Sequence, residues 1–299
     1  MIVPPPVEPG DTVRIVAPSG PFDRALVLRG LGWLASRYRV VFDPGLFARS
    51  GYLAGSDERR LAELNLALRD ADAKAVIASR GGYGLTRIAH AADLAALRKA
   101  PKWLVGFSDI TALHIEAGRA GIASLHASNV AGLGRGDDAA RAAFRGALEH
   151  PDTPRTFTGL RTVRPGYAEG RLTGGNLTVL FTCAATGRLE LADGSILLLE
   201  DVGEAPYRVD RMLSALMARG ALDRLGAVVL GDFTDAPSGR YGVDVHAVLD
   251  ERLSVLGIPV VAGFPSGHGR HNVPVHFGMP VSVDADCGAL RLGSGDERC

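Results

Sequence analysis

The sequence predicts an α/β protein whose first half carries a parallel sheet and whose second half forms a further β/α domain. Three observations predict it. Short apolar runs alternate with segments of helical spacing. The early runs end at glycine, proline or serine, where a parallel strand hands over to a helix. The rhythm breaks once, near residue 150, in a stretch with three prolines between His150 and Gly166. A chain of 299 residues is long enough for two compact domains.

The elements follow in order. Val13–Ala17 reads as a strand stopped by Pro18-Ser19-Gly20, and Asp23–Arg37 as a helix with leucines near helical spacing. Arg39–Phe42 is a second strand, and Ser56 caps a helix over Asp57–Leu68. Ala75–Ala78 and Trp103–Gly106 are the third and fourth strands, the latter followed by a helix from Ile110 to Arg119. Another helix covers Asp137–Glu149. This βαβ rhythm implies right-handed crossovers and a domain over residues 1–150. Residues 151–168 read as a linker. In residues 169–299 the strands are a segment opening at Gly170, then Ile196–Leu199, Ala227–Leu230, Val260–Gly263, Val281–Val283 and Ala289–Leu292. Helices are expected over Arg208–Arg219 and Val243–Leu256.

Composition excludes several classes. Lys plus Arg is 33 and Asp plus Glu is 33, so the formal net charge is zero. A nucleic-acid binder or a polybasic membrane-surface protein needs a positive surplus. The cysteines, Cys183, Cys287 and Cys299, are odd in number and form no CxxC pair, so no disulfide framework is expected. The first eleven residues carry four prolines and two acids, unlike a signal peptide, and no apolar run reaches a membrane span. A cytoplasmic location is the expectation.

Four segments could carry chemistry. In Gly106-Phe107-Ser108-Asp109 a serine stands between a buried strand and a helix start, where free N–H groups and the positive dipole end favour an oxyanion. It is not G-x-S-x-G, because Ile110 replaces the second glycine, and a plain N-cap is the bland alternative. Arg80-Gly81-Gly82-Tyr83-Gly84 ends another strand, as a ligand loop or a simple glycine turn, and it meets neither phosphate-loop spacing. Glu200, Asp201 and Glu204 follow four aliphatics, and pattern alone does not choose among them. Gly267-His268-Gly269 offers a histidine between glycines, suited to a general base. His268, His271 and His276 also raise a zinc reading, but H-E-x-x-H is absent. The order serine, acid, histidine matches one arrangement of serine hydrolases. With the acid and histidine in the second half, a site between two domains is expected.

These residues together resemble the LD-carboxypeptidases, serine peptidases grouped with the microcin C immunity peptidases. The resemblance is carried by Arg14–Gly20, Ser79–Gly84, Val105–Leu113, Gly174–Leu177, Leu198–Asp201 and Gly267-His268. It implies a flavodoxin-like or amidotransferase-like N-terminal domain and a smaller, swivelling C-terminal domain. It also implies Ser108 as nucleophile, Glu200 as acid and His268 as base, with oxyanion donors from the backbone of Gly82 and Asp109. Arg80 and Tyr83 of the glycine loop are expected at the substrate, Arg80 either clamping its terminal carboxylate or pairing within the fold. By resemblance the substrate is a murein tetrapeptide losing its terminal D-alanine in peptidoglycan recycling. The resemblance further implies a homodimer that needs no metal or other cofactor. Val273–Gly278 departs from the family's more aliphatic ending, which leaves the wall beside His268 and the role of His276 open.

Rival readings are a microcin-immunity-type peptidase acting on peptidyl-aminoacyl nucleotides, a non-catalytic binding protein and a metal hydrolase. The first is disfavoured because the segment from Asn129 to Gly170 is short and poor in stacking aromatics. The second is disfavoured because all three triad positions are filled.

Overall fold

The computed structural model describes residues 1–238 and 242–293. The chain forms two compact units: Met1–Pro151 joined by Val273–Gly278, and Asp152–Asn272 joined by the chain from Met279 onward.

The first unit holds β1 (Thr12–Val16), β2 (Arg39–Phe42), β3 (Ala73–Ala78), β4 (Trp103–Gly106) and β5 (Ser124–His126). All pair in parallel, in the order β2-β1-β3-β4-β5. That is the flavodoxin-like order, with its switch point where β1 and β3 run side by side. The central strands carry Ile15, Ile77, Val105 and Leu125, all buried, as a parallel sheet covered on both faces requires. Its helices are α1 (Arg24–Ala35), α2 (Asp57–Arg69), α3 (Ala95–Lys99), α4 (Thr111–Arg119), α5 (Val130–Arg135) and α6 (Asp138–Glu149). Three starts are capped as their sequences dictate. Asp23 accepts from Ala25 and Leu26 N–H, Ser56 from Arg59 N–H, and Asp137 from Ala140 N–H.

The second unit holds β6 (Arg155–Phe157), β7 (Arg161–Arg164), β8 (Tyr167–Asn176), α7 (Leu177–Ala185), β9 (Ile196–Val202), α8 (Pro206–Ala218), β10 (Ala227–Thr234), α9 (Val245–Ser254) and β11 (Val260–Ala262). β8, β9, β10 and β11 are parallel, and β7 closes that edge antiparallel to β11. The four aliphatics Ile196–Leu199 are buried, each stabilising the fold by about 1.5–3 kcal/mol relative to exposure. After β12 (Val275–Phe277), the strands β13 (Pro280–Asp284) and β14 (Ala289–Leu292) extend the first part of β8 in antiparallel fashion, with β6 beyond β14.

Two boundaries differ from the sequence expectation. Residues 151–168 are not a plain linker, because they supply β6, β7 and the start of β8. β6 and β7 are edge strands of three and four residues, rich in Arg and Thr, too short and polar to show a period. The expected C-terminal domain 169–299 also gives up 273–278, whose β12 pairs antiparallel with β5 of the first unit. Val275 and Phe277 are buried there. Cys183 is a buried thiol outside any disulfide. Cys299 lies outside the described residues. Among the described residues no helix is long and apolar enough to cross a membrane.

Candidate active site

In the first unit the turns after β1, β3 and β4 are tied together. Gly20 N–H donates to the Gly81 carbonyl at 3.1 Å, and Ser79 N–H to the Val16 carbonyl at 2.8 Å. The buried Arg60 guanidinium donates to the Pro18 carbonyl and, at 2.8 Å, to the Gly84 carbonyl. The Asp109 carboxylate is buried and accepts from Leu85 N–H at 2.8 Å, fastening the glycine loop to the serine turn. Burial raises the Asp109 carboxyl above its ordinary range, against the lowering effect of that hydrogen bond.

Ser108 stands in the left-handed region, φ 67°, at the first residue of a 3-10 turn that runs directly into α4. A non-glycine residue held there costs about 1–2 kcal/mol, which the surrounding contacts must offset. The N-cap reading of Ser108 is replaced: the capping position falls on Phe107, and no side chain caps the turn. Gly81 faces the serine so closely that a Cβ on it would lie 2.9 Å from Ser108 Cβ and 3.1 Å from its Oγ. Only glycine fits there. Among the described residues no protein acceptor takes the backbone N–H of Gly82 or of Asp109. Two free donors therefore belong to the two turns that meet at Ser108, as an oxyanion site requires.

Two buried residues hold the strand end behind the serine. Asn129 Oδ1 accepts from Phe107 N–H at 3.2 Å. His114 Nε2 lies 2.9 Å from the Gly106 carbonyl and its Nδ1 2.9 Å from Ser124 Oγ. A carbonyl only accepts, so Nε2 carries the proton and Nδ1 accepts from the hydroxyl. Burial drives this imidazole down to about 4, so it is neutral at pH 7. Between pH 6.5 and about 4 the unfolded chain binds a proton that the folded chain refuses, so acidification removes stability. The expected loss from pH 7 to pH 4 is about 3 kcal/mol. Urea titrations at both pH values should show His114→Gln spared most of it. Equal losses in variant and wild type would sink this assignment.

In the second unit His268 and Glu200 meet. His268 Nδ1 lies 2.6 Å from Glu200 Oε2, and Glu200 is fully buried at the end of β9. Burial pulls the imidazole down, but the hydrogen bond and charge of Glu200, with Asp201 and Asp232 behind it, raise His268 above its ordinary value. Burial also lifts Glu200 above the usual carboxylate range. The glycines are what permit this contact. A Cβ on Gly267, φ 129°, would lie 2.8 Å from both Cβ and Oε2 of Glu200. Asn272 Oδ1 accepts from Gly267 N–H at 3.0 Å, and Asp232 Oδ2 from Gly269 N–H at 3.2 Å, bracing the turn on both sides of His268. Burial raises Asp232 as well.

The three acids left open by sequence separate by what they touch. Asp201 is spent on structure, accepting from Asn176 Nδ2, Thr178 N–H and Thr178 Oγ1 at the start of α7. Glu204 pairs with Arg208 at 3.6 Å. Glu200 alone of the three is hydrogen-bonded to His268. His276, on β12 of the first unit, donates to the Ala147 carbonyl at 3.0 Å and packs 4.9 Å from the Trp103 ring, so it is a satisfied core histidine. Arg80 donates to the Pro21 carbonyl, and Tyr83 packs 5.7 Å from Tyr52. Sequence reasoning missed Asn129, His114 and Asp232. None stands in a motif, and each acts through a backbone group.

A left-handed serine ahead of a helix, free N–H donors beside it and a carboxylate-supported histidine are the parts of a serine-type hydrolase. Comparison with known proteins is more specific. Residues 13–127 match the LD-carboxypeptidase N-terminal domain and residues 169–283 the LD-carboxypeptidase C-terminal domain. A putative carboxypeptidase of Synechocystis sp. is 38% identical over 95% of this chain and 95% of its own. The murein tetrapeptide carboxypeptidase of Pseudomonas aeruginosa is 37% identical over 80% of this chain and 81% of its own. The crystal structure of muramoyltetrapeptide carboxypeptidase from Oxalobacter formigenes superposes with TM-score 0.84 at 34% identity, covering 95% of this chain and 99% of that one. The microcin C7 self-immunity protein MccF shares the fold at TM-score 0.89 and 22% identity, over 99% of each chain. The chain belongs to the LD-carboxypeptidase family, and its class is that of a serine-type carboxypeptidase.

Proposed function

We propose that the chain releases the terminal D-alanine of a murein tetrapeptide by hydrolysing the amide between an L-centre and that D-residue. The observation that carries the reading is Ser108 in its left-handed turn, flanked by the unpaired N–H groups of Gly82 and Asp109. Relatives named for murein peptides support the substrate class.

In this reading Ser108 is the nucleophile, His268 the general base and Glu200 its carboxylate partner. Glu200 accepts the Nδ1–H and leaves Nε2 as the basic nitrogen. Nε2 takes the Ser108 proton as Oγ bonds to the scissile carbonyl carbon. The tetrahedral oxyanion accepts from Gly82 and Asp109 N–H. Collapse breaks the C–N bond, and the imidazolium gives its proton to the departing amine of D-alanine. Water, deprotonated by the same nitrogen, then cleaves the acyl ester and returns the proton to Ser108. No step calls on a metal or cofactor. The reading extends to a cytoplasmic homodimer serving peptidoglycan recycling.

The deciding assay sets murein tetrapeptide against a peptidyl-aminoacyl nucleotide. D-alanine release from the tetrapeptide and little cleavage of the nucleotide conjugate is the expected result. The reverse preference would replace this reading with the microcin-immunity one.

A further inference from the structure

We propose that a cavity of about 700 Å³ in the first unit is a carboxylate subsite for the leaving residue, with Arg49 and Arg80 as its cations. The proposal rests on the functional reading above and names the recognition element within it.

Four observations carry it. The cavity is lined by Gly20, Pro21, Arg80 and Gly82, which places it beside the carboxyl ends of β1 and β3. Those strands flank the switch point of the sheet, where open α/β folds bind ligands. Gly82, whose N–H is unpaired, lines it directly. Its neighbour Gly81 approaches Ser108 so closely that an added Cβ would lie 3.1 Å from Oγ. Cavity and nucleophile therefore share one loop.

The charge is the third observation. Some arginines of this chain pair with carboxylates, such as Arg14 with Asp70, Arg59 with Glu63, Arg69 with Asp93 and Arg161 with Asp250, and others, such as Arg24, Arg29 and Arg39, do not among the described residues. Among the described residues Arg49 and Arg80 form no ion pair, yet both line this one cavity. Arg80 is held in place by its bond to the Pro21 carbonyl and keeps further N–H donors for a ligand. Two guanidiniums without an acid suit a planar anion that each grips through paired N–H groups. The fourth is the pair Tyr52 and Tyr83, with ring centroids 5.7 Å apart and both largely exposed. They also line the cavity and offer an aromatic wall for a small side chain.

Covalent geometry makes the assignment specific to a carboxypeptidase. In a terminal residue the carboxylate carbon is three bonds from the scissile carbonyl carbon, at most about 4 Å away. The anion must therefore be received within one residue's length of Ser108. An internal peptide bond brings no charge there and leaves both arginines without a partner.

The test compares the tetrapeptide free acid with its C-terminal carboxamide. Binding is read by calorimetry on Ser108→Ala protein, and kcat and KM on the active enzyme. Wild type should prefer the acid. Arg49→Gln and Arg80→Gln should each lower that preference about tenfold to a hundredfold, the range for hydrogen bonds to charged groups. The loss should fall mainly on KM, with Arg49→Lys recovering part of it and the melting temperature unchanged. Equal affinity for acid and amide, or full preference retained in both Gln variants, would overturn the subsite. Absence of turnover in wild type would count against the functional reading instead, while the acid-over-amide binding preference still decides the subsite.

Discussion

Ser108→Ala is expected to lower kcat for tetrapeptide hydrolysis by on the order of 10⁶-fold while leaving the fold intact. The size follows from what remains. Gly82 and Asp109 keep their free N–H groups, so polarisation of the carbonyl survives, but no covalent path is left. Alanine keeps the Cβ and hence the strain of φ 67°, so the melting temperature should barely move. Ser108→Gly separates the two effects. It removes the nucleophile and also relieves about 1–2 kcal/mol of left-handed backbone strain, so it should be inactive and more stable. A strained residue that costs stability and supplies function is the usual trade at such a turn. Native turnover in the alanine variant would end the serine mechanism. A glycine variant no more stable than wild type would show that the strain is absorbed elsewhere.

Much of this is legible in the sequence, for physical reasons. Buried parallel strands write themselves as unbroken aliphatic runs, so Val105 and Ile196–Leu199 stand out at once. The turns that end them are punctuated by glycines that no other residue replaces, as Gly81 and Gly267 show by the atoms a Cβ would strike. What pattern reading could not do was rank Glu200, Asp201 and Glu204. Adjacent strand residues face opposite ways, so the choice depends on which one meets His268. Family resemblance selected Glu200, and of the three acids it is the one hydrogen-bonded to His268. The errors lay at sheet edges. β6 and β7 are too short and polar for a period, and β12 pairs with β5 from 149 residues away along the chain, beyond any local signal. Arg49 was invisible for a related reason. An exposed arginine in a loop has no signature until a cavity shows what it lines.

Glu200→Gln should move the two parts of the pH profile in different ways. The carboxylate is fully buried, accepts from His268 Nδ1 at 2.6 Å and raises the imidazole above its ordinary value. A general base works in its neutral form, so kcat/KM in the wild type is lost as pH falls through that raised value. In the variant the charge of Glu200 is gone. Burial, which lowers the imidazole, is then opposed only by the weaker influence of Asp201 and Asp232. The acid limb should therefore move to lower pH. The plateau should fall by on the order of 10⁴-fold, because a neutral amide neither fixes the Nδ1–H tautomer nor stabilises the imidazolium. Stability should hold or rise, since burying an amide costs less than burying a carboxylate. A misfolded or loosened variant would lower the plateau and leave the limb where it was. A limb that stays in place or moves to higher pH would thus remove Glu200 from the histidine's electrostatics, whatever happens to the rate.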